Sequence, residues 1–196
     1  DEGAIARGPA APDPWRVDLE RLRQVRVPPT LTGLLQARLD SLPRPERELL
    51  QRAAVVGRSF WDAAVAELAE VPREQLAGLL DAVCRRELAF RRERSAFAGT
   101  EEYIFKHALL RDVTYETVLL KTRRLYHARV ARWLEGHAGE RTSEYTGLIA
   151  EHLERAGEGA QAAGYLRRAG ERMLATGAFR ESVALSLRAL ALLPAG

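Results

Sequence analysis

Cysteine is nearly absent from this 196-residue sequence, in which Cys84 is the single thiol. One cysteine can form neither a disulfide framework nor a cysteine metal cluster within the chain. Apolar runs approaching the roughly 20 residues that cross a bilayer are also missing. Asp1, Glu2 and Gly3 do not open a basic-then-apolar leader. We therefore expect a cytoplasmic protein with no membrane partner, whose sequence begins in the middle of a larger polypeptide.

The sequence also lacks the motifs of nucleotide-binding and hydrolytic sites. It has no G-x-x-x-x-G-K-[ST] loop to cradle phosphates, no G-x-G-x-x-G after a strand and no G-x-S-x-G elbow. Its histidines lack the H-x-x-x-H and H-E-x-x-H spacings of metal sites; they are His107, His127, His137 and His152. We expect no catalytic residue, no metal and no cofactor in this chain, and therefore no enzyme activity of its own.

Residues 1–30 contain five of the nine prolines and few periodic apolar positions, which is typical of a linker. From Thr30 the apolar spacing becomes helical, and Pro43 ends the run. The leucines that would share one face of this helix are Leu31, Leu34, Leu35, Leu39 and Leu42. We therefore separate residues 1–42 from the domain that follows.

Three short amphipathic helices are predicted next. The first ends at Gly57, the second is opened by Ser59 as N-cap with Asp62 three residues later, and the third begins beside Pro72. Strand-like alternation at 88–92 and 102–105 then flanks a polar turn. Three helices followed by a hairpin are the arrangement of a winged helix, which we assign with its following helices to residues 43–139.

The rest of the sequence predicts helices only, at about 107–120, 123–136, 145–156, 160–175 and 179–193. A 34-residue tetratricopeptide frame fits from Ala163 onward. Its expected positions hold Leu166, Ala169, Gly170, Met173, Gly177, Phe179, Ala189 and Pro194. We assign residues 140–196 to the start of tetratricopeptide-like repeats, with an ordinary helical hairpin as the alternative. The fold class is thus mainly α.

A winged helix raises the question of DNA binding. Arginines near the end of the third helix and on the wing could meet phosphates; they are Arg85, Arg86, Arg91, Arg92 and Arg94. Acidic residues interrupt this series at Glu87 and Glu93, and the net charge of the whole chain is only +3. A solvated face of mixed charge is the interpretation we favour, so we expect no nucleic-acid partner.

His107 lies between the second strand of the hairpin and the next predicted helix. A helix N-terminus attracts anions, and an imidazole at that point can donate a hydrogen bond to a phosphate. A side chain that caps the helix or packs under the wing is the alternative, and the residue chemistry alone favours it.

Five sequence blocks together resemble one protein family. They are VPPTL at 27–31, ARLDSL at 37–42, AAVVGRSF at 53–60, FKHAL at 105–109 and LYH at 125–127. In order and spacing they are similar to the STAND signalling ATPases of bacteria. In particular, they look like those whose AAA-type ATPase module is attached to class III adenylate/guanylate cyclases or to LuxR-type regulators. The resemblance extends over nearly the whole chain.

The resemblance implies a domain order of ATPase core, helical lid, winged helix and tetratricopeptide repeats. Residues 1–42 would then contain the end of the lid, and the ATP/ADP and Mg site would lie upstream in the parent protein. The context of His107 is similar to the family's MHD motif, whose histidine contacts the β-phosphate of ADP in the resting state. Ala108 departs from that motif, which often has aspartate there.

The expected function is therefore non-catalytic regulation in signalling or transcription control. The winged helix would pack on the ATPase module in cis, and the repeats would bind a protein or a small ligand. Two alternatives remain open: a DNA-binding winged-helix regulator with a helical effector domain, and a tetratricopeptide scaffold in which the winged helix is a spacer.

Overall fold

The computed structural model describes residues 5–7, 15–17 and 29–193. Over this part the chain is mainly helical, as predicted, and contains a small three-stranded antiparallel sheet. Residues 5–7 and 15–17 pair as two short antiparallel strands within the predicted linker, most of which lies outside the described residues. Each helix of the described part is too short or too polar to cross a bilayer.

The elements follow in chain order. The strands are β1 (Ile5–Arg7), β2 (Trp15–Val17), β3 (Ser59–Trp61), β4 (Ala89–Arg91) and β5 (Glu102–Phe105). The first helices are α1 (Pro29–Asp40), α2 (Arg44–Val56), α3 (Asp62–Ala69), α4 (Glu74–Arg85) and α5 (Ala108–Glu116). The last helices are α6 (Leu120–Ala138), α7 (Thr142–Ala156), α8 (Gly159–Ala175) and α9 (Phe179–Ala191), and one 3-10 turn, Gly139–Arg141, separates α6 from α7.

The prediction that Ser59 caps a helix is wrong, because Ser59 begins β3 and the helix starts at Asp62. β3 and β4 both pair with β5, so the sheet order is β3-β5-β4. Phe60 lies opposite Tyr103, and their rings stack with centroids 5.6 Å apart. Pairing and aromatic burial therefore outweigh the local capping signal of Ser59.

Aromatic rings join the sheet to the helices behind it. Phe97, in the loop between β4 and β5, meets Trp133 of α6 edge-on at 5.1 Å and Tyr145 of α7 at 4.7 Å. The same loop is fastened by Arg141, whose Nη1 donates to the Ala96 carbonyl at 2.9 Å. The main core continues from the sheet into α7 through buried Ile149. Sheet and helices therefore share one hydrophobic core.

The helix ends predicted at about 156 and 175 are confirmed. Gly157 and Gly177, which follow them, have positive φ, 88° and 80°, and this ends α7 and α8 at little steric cost. α8 and α9 then approach closely at Gly170, where an added Cβ would lie 3.4 Å from the Ser182 carbonyl oxygen. Small residues at this crossing allow the two helices to pack tightly.

Candidate functional site

His107 is the residue immediately before α5. Its backbone is extended, with φ −129° and ψ 135°, and its side chain is exposed. The position follows from β5, which ends at Phe105 and leaves two residues to turn the chain into the helix. Among the described residues no side chain caps α5, although the His107 carbonyl accepts the Arg111 amide at 3.3 Å. The first-turn amides of α5 thus have no side-chain acceptor in that part of the chain.

A groove of about 370 Å³ lies beside the start of α5. Helices α2, α5 and α7 and the loop before β3 supply its walls. Ala108, the residue after His107, is part of its lining. The polar and glycine residues that line it are Gly57, Arg58, Arg111, Asp112, Glu151, His152 and Arg155. The β5 backbone positions the loop, because the Phe105 amide donates to the Arg58 carbonyl at 2.9 Å.

Charges in this groove are only partly compensated. Arg111 donates through Nη1 to Asp112 at 3.1 Å and through Nε to the Ala54 carbonyl at 2.8 Å. Arg155 pairs with Glu151 at 2.6 Å. Arg58 is exposed and has no ion pair within the described residues. Three guanidinium groups and two carboxylates leave a net positive charge, which suits an anion such as a phosphate.

The structure distributes the five predicted DNA-contact arginines over separate ion pairs. Arg86 pairs with buried Glu46 at 2.8 Å, and Arg92 pairs with buried Glu102 at 2.8 Å. Arg91 pairs with Glu101 across the sheet. Arg85 and Arg94 are exposed and form no ion pair in the part of the chain that is described. Three of the five positive charges are therefore already matched by a carboxylate.

Two further histidines meet in the interior, and the sequence did not reveal their contact. His127 of α6 and His152 of α7 are buried, with their Nδ1 atoms 2.8 Å apart. The Tyr115 hydroxyl lies 2.9 Å from Nε2 of His127. His152 falls in the apolar pattern of α7, which was the one available signal that it points inward. No group of three or more histidine, cysteine or acidic residues fit for a metal occurs among the described residues.

Helix α9 leaves a row of large apolar side chains exposed. Phe179, Val183, Leu187 and Leu190 recur at intervals of four, four and three residues and are 58% to 65% exposed. Such spacing places them on one helical face, and we call these four residues the α9 stripe. A groove between α8 and α9 lies next to it, with a floor of Ala160, Ala163 and Gly164. Contiguous exposed apolar surface of this kind commonly marks an interaction site.

Comparison with known proteins gives one relative of unknown activity. The chain is 32% identical over 126 residues to an uncharacterized protein of Rhizobium meliloti (strain 1021). The match covers 64% of this chain but only 12% of that protein, so the chain spans a small part of its relative. No protein-family model matches the chain, and no solved structure matches it.

Proposed function

We propose that this chain is the non-catalytic regulatory segment of a STAND-type signalling ATPase. In this proposal residues 43–139 form a winged helix with its following helices, and residues 140–196 begin a series of tetratricopeptide-like hairpins. The element order α2-β3-α3-α4-β4-β5 supports the winged helix, because β3 pairs with the side of β5 that lies opposite β4. The close approach of α8 and α9 at Gly170 supports the repeats.

The observation that carries the proposal is the exposed His107 at an uncapped helix N-terminus, directly after the last strand of the sheet. An anionic phosphate fits this position, because the side chain and the first-turn amides are donors and Arg58 and Arg111 lie along the neighbouring groove. In the parent protein, His107 would hold a phosphate of ADP bound to the upstream module. ATP or ADP with Mg would occupy that module, not this chain.

The length of the relative supports a large parent protein. Since 126 residues are 12% of it, the relative has roughly 1,050 residues, enough for several domains. The function is then a conformational switch with two states. With ADP present, contact between the His107 region and the upstream module favours the closed state, and its loss on exchange frees the segment to act on an effector.

The decisive experiment measures ADP retention by the parent protein after gel filtration. A charge-assisted hydrogen bond to phosphate contributes about 1.5–3 kcal/mol, so His107→Ala should raise the Kd for ADP by roughly 10- to 100-fold. His137→Ala, which removes another exposed histidine, is the matched control and should leave retention unchanged. Equal retention by wild type and His107→Ala would refute the sensor role.

A second candidate function is a tetratricopeptide scaffold, and the α9 stripe favours it. In that case the repeats bind a partner of matching apolar surface, and nucleotide binding is unrelated to this segment. The double variant Leu187→Glu and Leu190→Glu in the parent protein separates the two functions. The scaffold function predicts that this variant loses effector output and keeps its ADP retention. Intact output in this variant, together with unchanged ADP retention in His107→Ala, would exclude both functions.

A further inference from the structure

The contact between His127 and His152 joins α6 to α7 inside the protein. We propose that this pair is an acid-operated latch: neutral imidazoles hold α7 against α6, and their protonation in mildly acidic solution loosens α7, α8 and α9 from the rest of the chain. This inference does not depend on the proposed function, because it rests on a contact between two side chains of this chain and not on a bound ligand.

The hydrogen-bond geometry requires an unprotonated Nδ1 on one of the two rings. Two Nδ1 atoms 2.8 Å apart can bond only if one bears a proton and the other offers its lone pair. The Tyr115 hydroxyl, 2.9 Å from Nε2 of His127, fits a donor to that nitrogen, which makes Nδ1 of His127 the protonated one. A proton added at Nε2 of His127 forces the Tyr115 hydroxyl to turn and accept that hydrogen bond, and it places a positive charge on a fully buried ring. A proton added to Nδ1 of His152 sets two N–H groups against each other.

The surroundings of the pair oppose positive charge. The rings are 0% and 3% exposed, and no carboxylate is within hydrogen-bonding distance of either ring in the described structure. Arg111 of α5, Arg123 of α6 and Arg155 of α7 add positive charge from each packed element. Each of these arginines also pairs with a carboxylate, on Asp112, Glu116 and Glu151 respectively. On the α2 side, the Val56 carbonyl is the polar neighbour of His152.

Burial is the first cause that lowers the pKa of both imidazoles well below the usual value of 6.5, and the arginines lower it further. Unfolding or opening restores the ordinary pKa. The contribution to stability is therefore complete above pH 6.5 and is lost as the pH falls below it. Each proton taken up on opening shifts the equilibrium by up to about tenfold per pH unit, and two protons shift it by up to about a hundredfold.

The location of the pair determines what opens. α7 packs on the rest of the chain through buried Ile149 and Leu153 and through Tyr145, which meets Phe97. The histidine contact lies beside Leu153, two helical turns after Tyr145. α8 and α9 are packed in sequence behind α7. Loss of the histidine contact therefore weakens the attachment of all three helices, while the core of α2 to α5 and the sheet retains its own packing.

Amide hydrogen exchange of the whole chain at pH 7.5 and pH 5.5, corrected for intrinsic rates, tests the latch. We expect protection over 142–191 to fall at least tenfold more than protection over 44–56. His127→Gln with His152→Gln should remove most of that difference, and His107→Gln, which changes an exposed histidine, should preserve it. An equal loss of protection in both segments of the wild-type protein would overturn the proposal.

Imidazole titration of the wild-type protein by NMR needs no variant and covers the case in which the double variant does not fold. The latch requires that His127 and His152 stay neutral in the closed state and take up protons only with the exchange change. Titration of both rings near pH 6.5, with the protection of 142–191 unchanged, would refute it.

Discussion

Trp61 of β3 and Trp133 of α6 stack with their ring centroids 5.6 Å apart and their planes inclined by 23°. Trp61 belongs to the sheet, and Trp133 belongs to α6, which begins 15 residues after the last strand ends. Both side chains are 6% exposed, and Phe97 touches each of them edge-on. This aromatic cluster thus holds the sheet, its loop and α6 together.

Replacing Trp133 by alanine should lower the free energy of unfolding by about 3–5 kcal/mol, because a large buried ring is lost and its neighbours cannot fill the space. Urea titration followed by circular dichroism measures the change. Trp133→Phe keeps part of the stacking and should cost less than the alanine variant. A loss below about 1 kcal/mol for Trp133→Ala would contradict the central role of the cluster.

Glu102 is a buried carboxylate with three donors. It accepts Trp61 Nε1 at 3.3 Å, Arg92 Nη1 at 2.8 Å and the Ala96 amide at 2.9 Å. Glu102→Ala leaves the buried Trp61 Nε1 and the half-buried Ala96 amide without their acceptor and should cost about 2–4 kcal/mol. Thermal and urea unfolding measure the loss, and Glu93→Ala, at an exposed position of the β4–β5 loop, should change stability by less than about 0.5 kcal/mol. Equal stability of the two variants would refute this role for Glu102.

Two glycines of α8 should respond differently to leucine. At Gly170 an added Cβ would already touch the Ser182 carbonyl and Ser186 Oγ, both at 3.4 Å, so the rest of a leucine side chain forces α8 and α9 apart. We expect Gly170→Leu to cost about 1–3 kcal/mol. Gly164 has no atom within 4 Å of an added Cβ, and Gly164→Leu should be neutral or stabilising because leucine favours helix. Thermal unfolding of both variants checks this difference, which equal melting temperatures would contradict.

Duplex DNA should not bind this chain specifically. Arg86, Arg91 and Arg92 are in ion pairs, which leaves Arg85 and Arg94 as the predicted contacts that form none in the described structure. We expect fluorescence anisotropy to give no saturable binding at about 50 mM salt and none at about 200 mM. Salt-sensitive binding that the double variant Arg85→Glu and Arg94→Glu abolishes would instead support the winged-helix DNA-binding alternative.

The helices were largely predictable because their apolar faces repeat clearly along the sequence. Leu49, Leu50 and Ala53 are buried as the spacing of α2 predicts. β3 could not be found in this way, since it has three residues and its partner strand begins at Glu102, 41 positions after β3 ends at Trp61. A local capping pattern at Ser59 suggested a helix instead, and only the paired sheet shows why it does not form there.

The candidate site was predictable at single positions but not as contacts. The boundary between strand and helix at His107 followed from the change of period after Phe105. Nothing in the sequence brings Arg58, Arg111 and Arg155 to one groove, because they belong to three segments separated by more than 40 residues. The same holds for His127 and His152, whose contact depends on the rotation of α6 and α7 about their axes.

The fastening of the β4–β5 loop has a mechanical consequence. Phe97 lies between α6 and α7, and Arg141 holds the neighbouring carbonyl of Ala96, so this loop is clamped at both faces. These contacts on both sides of the loop tie the sheet to the start of α7, so the sheet and the first turns of α7 should move as one unit.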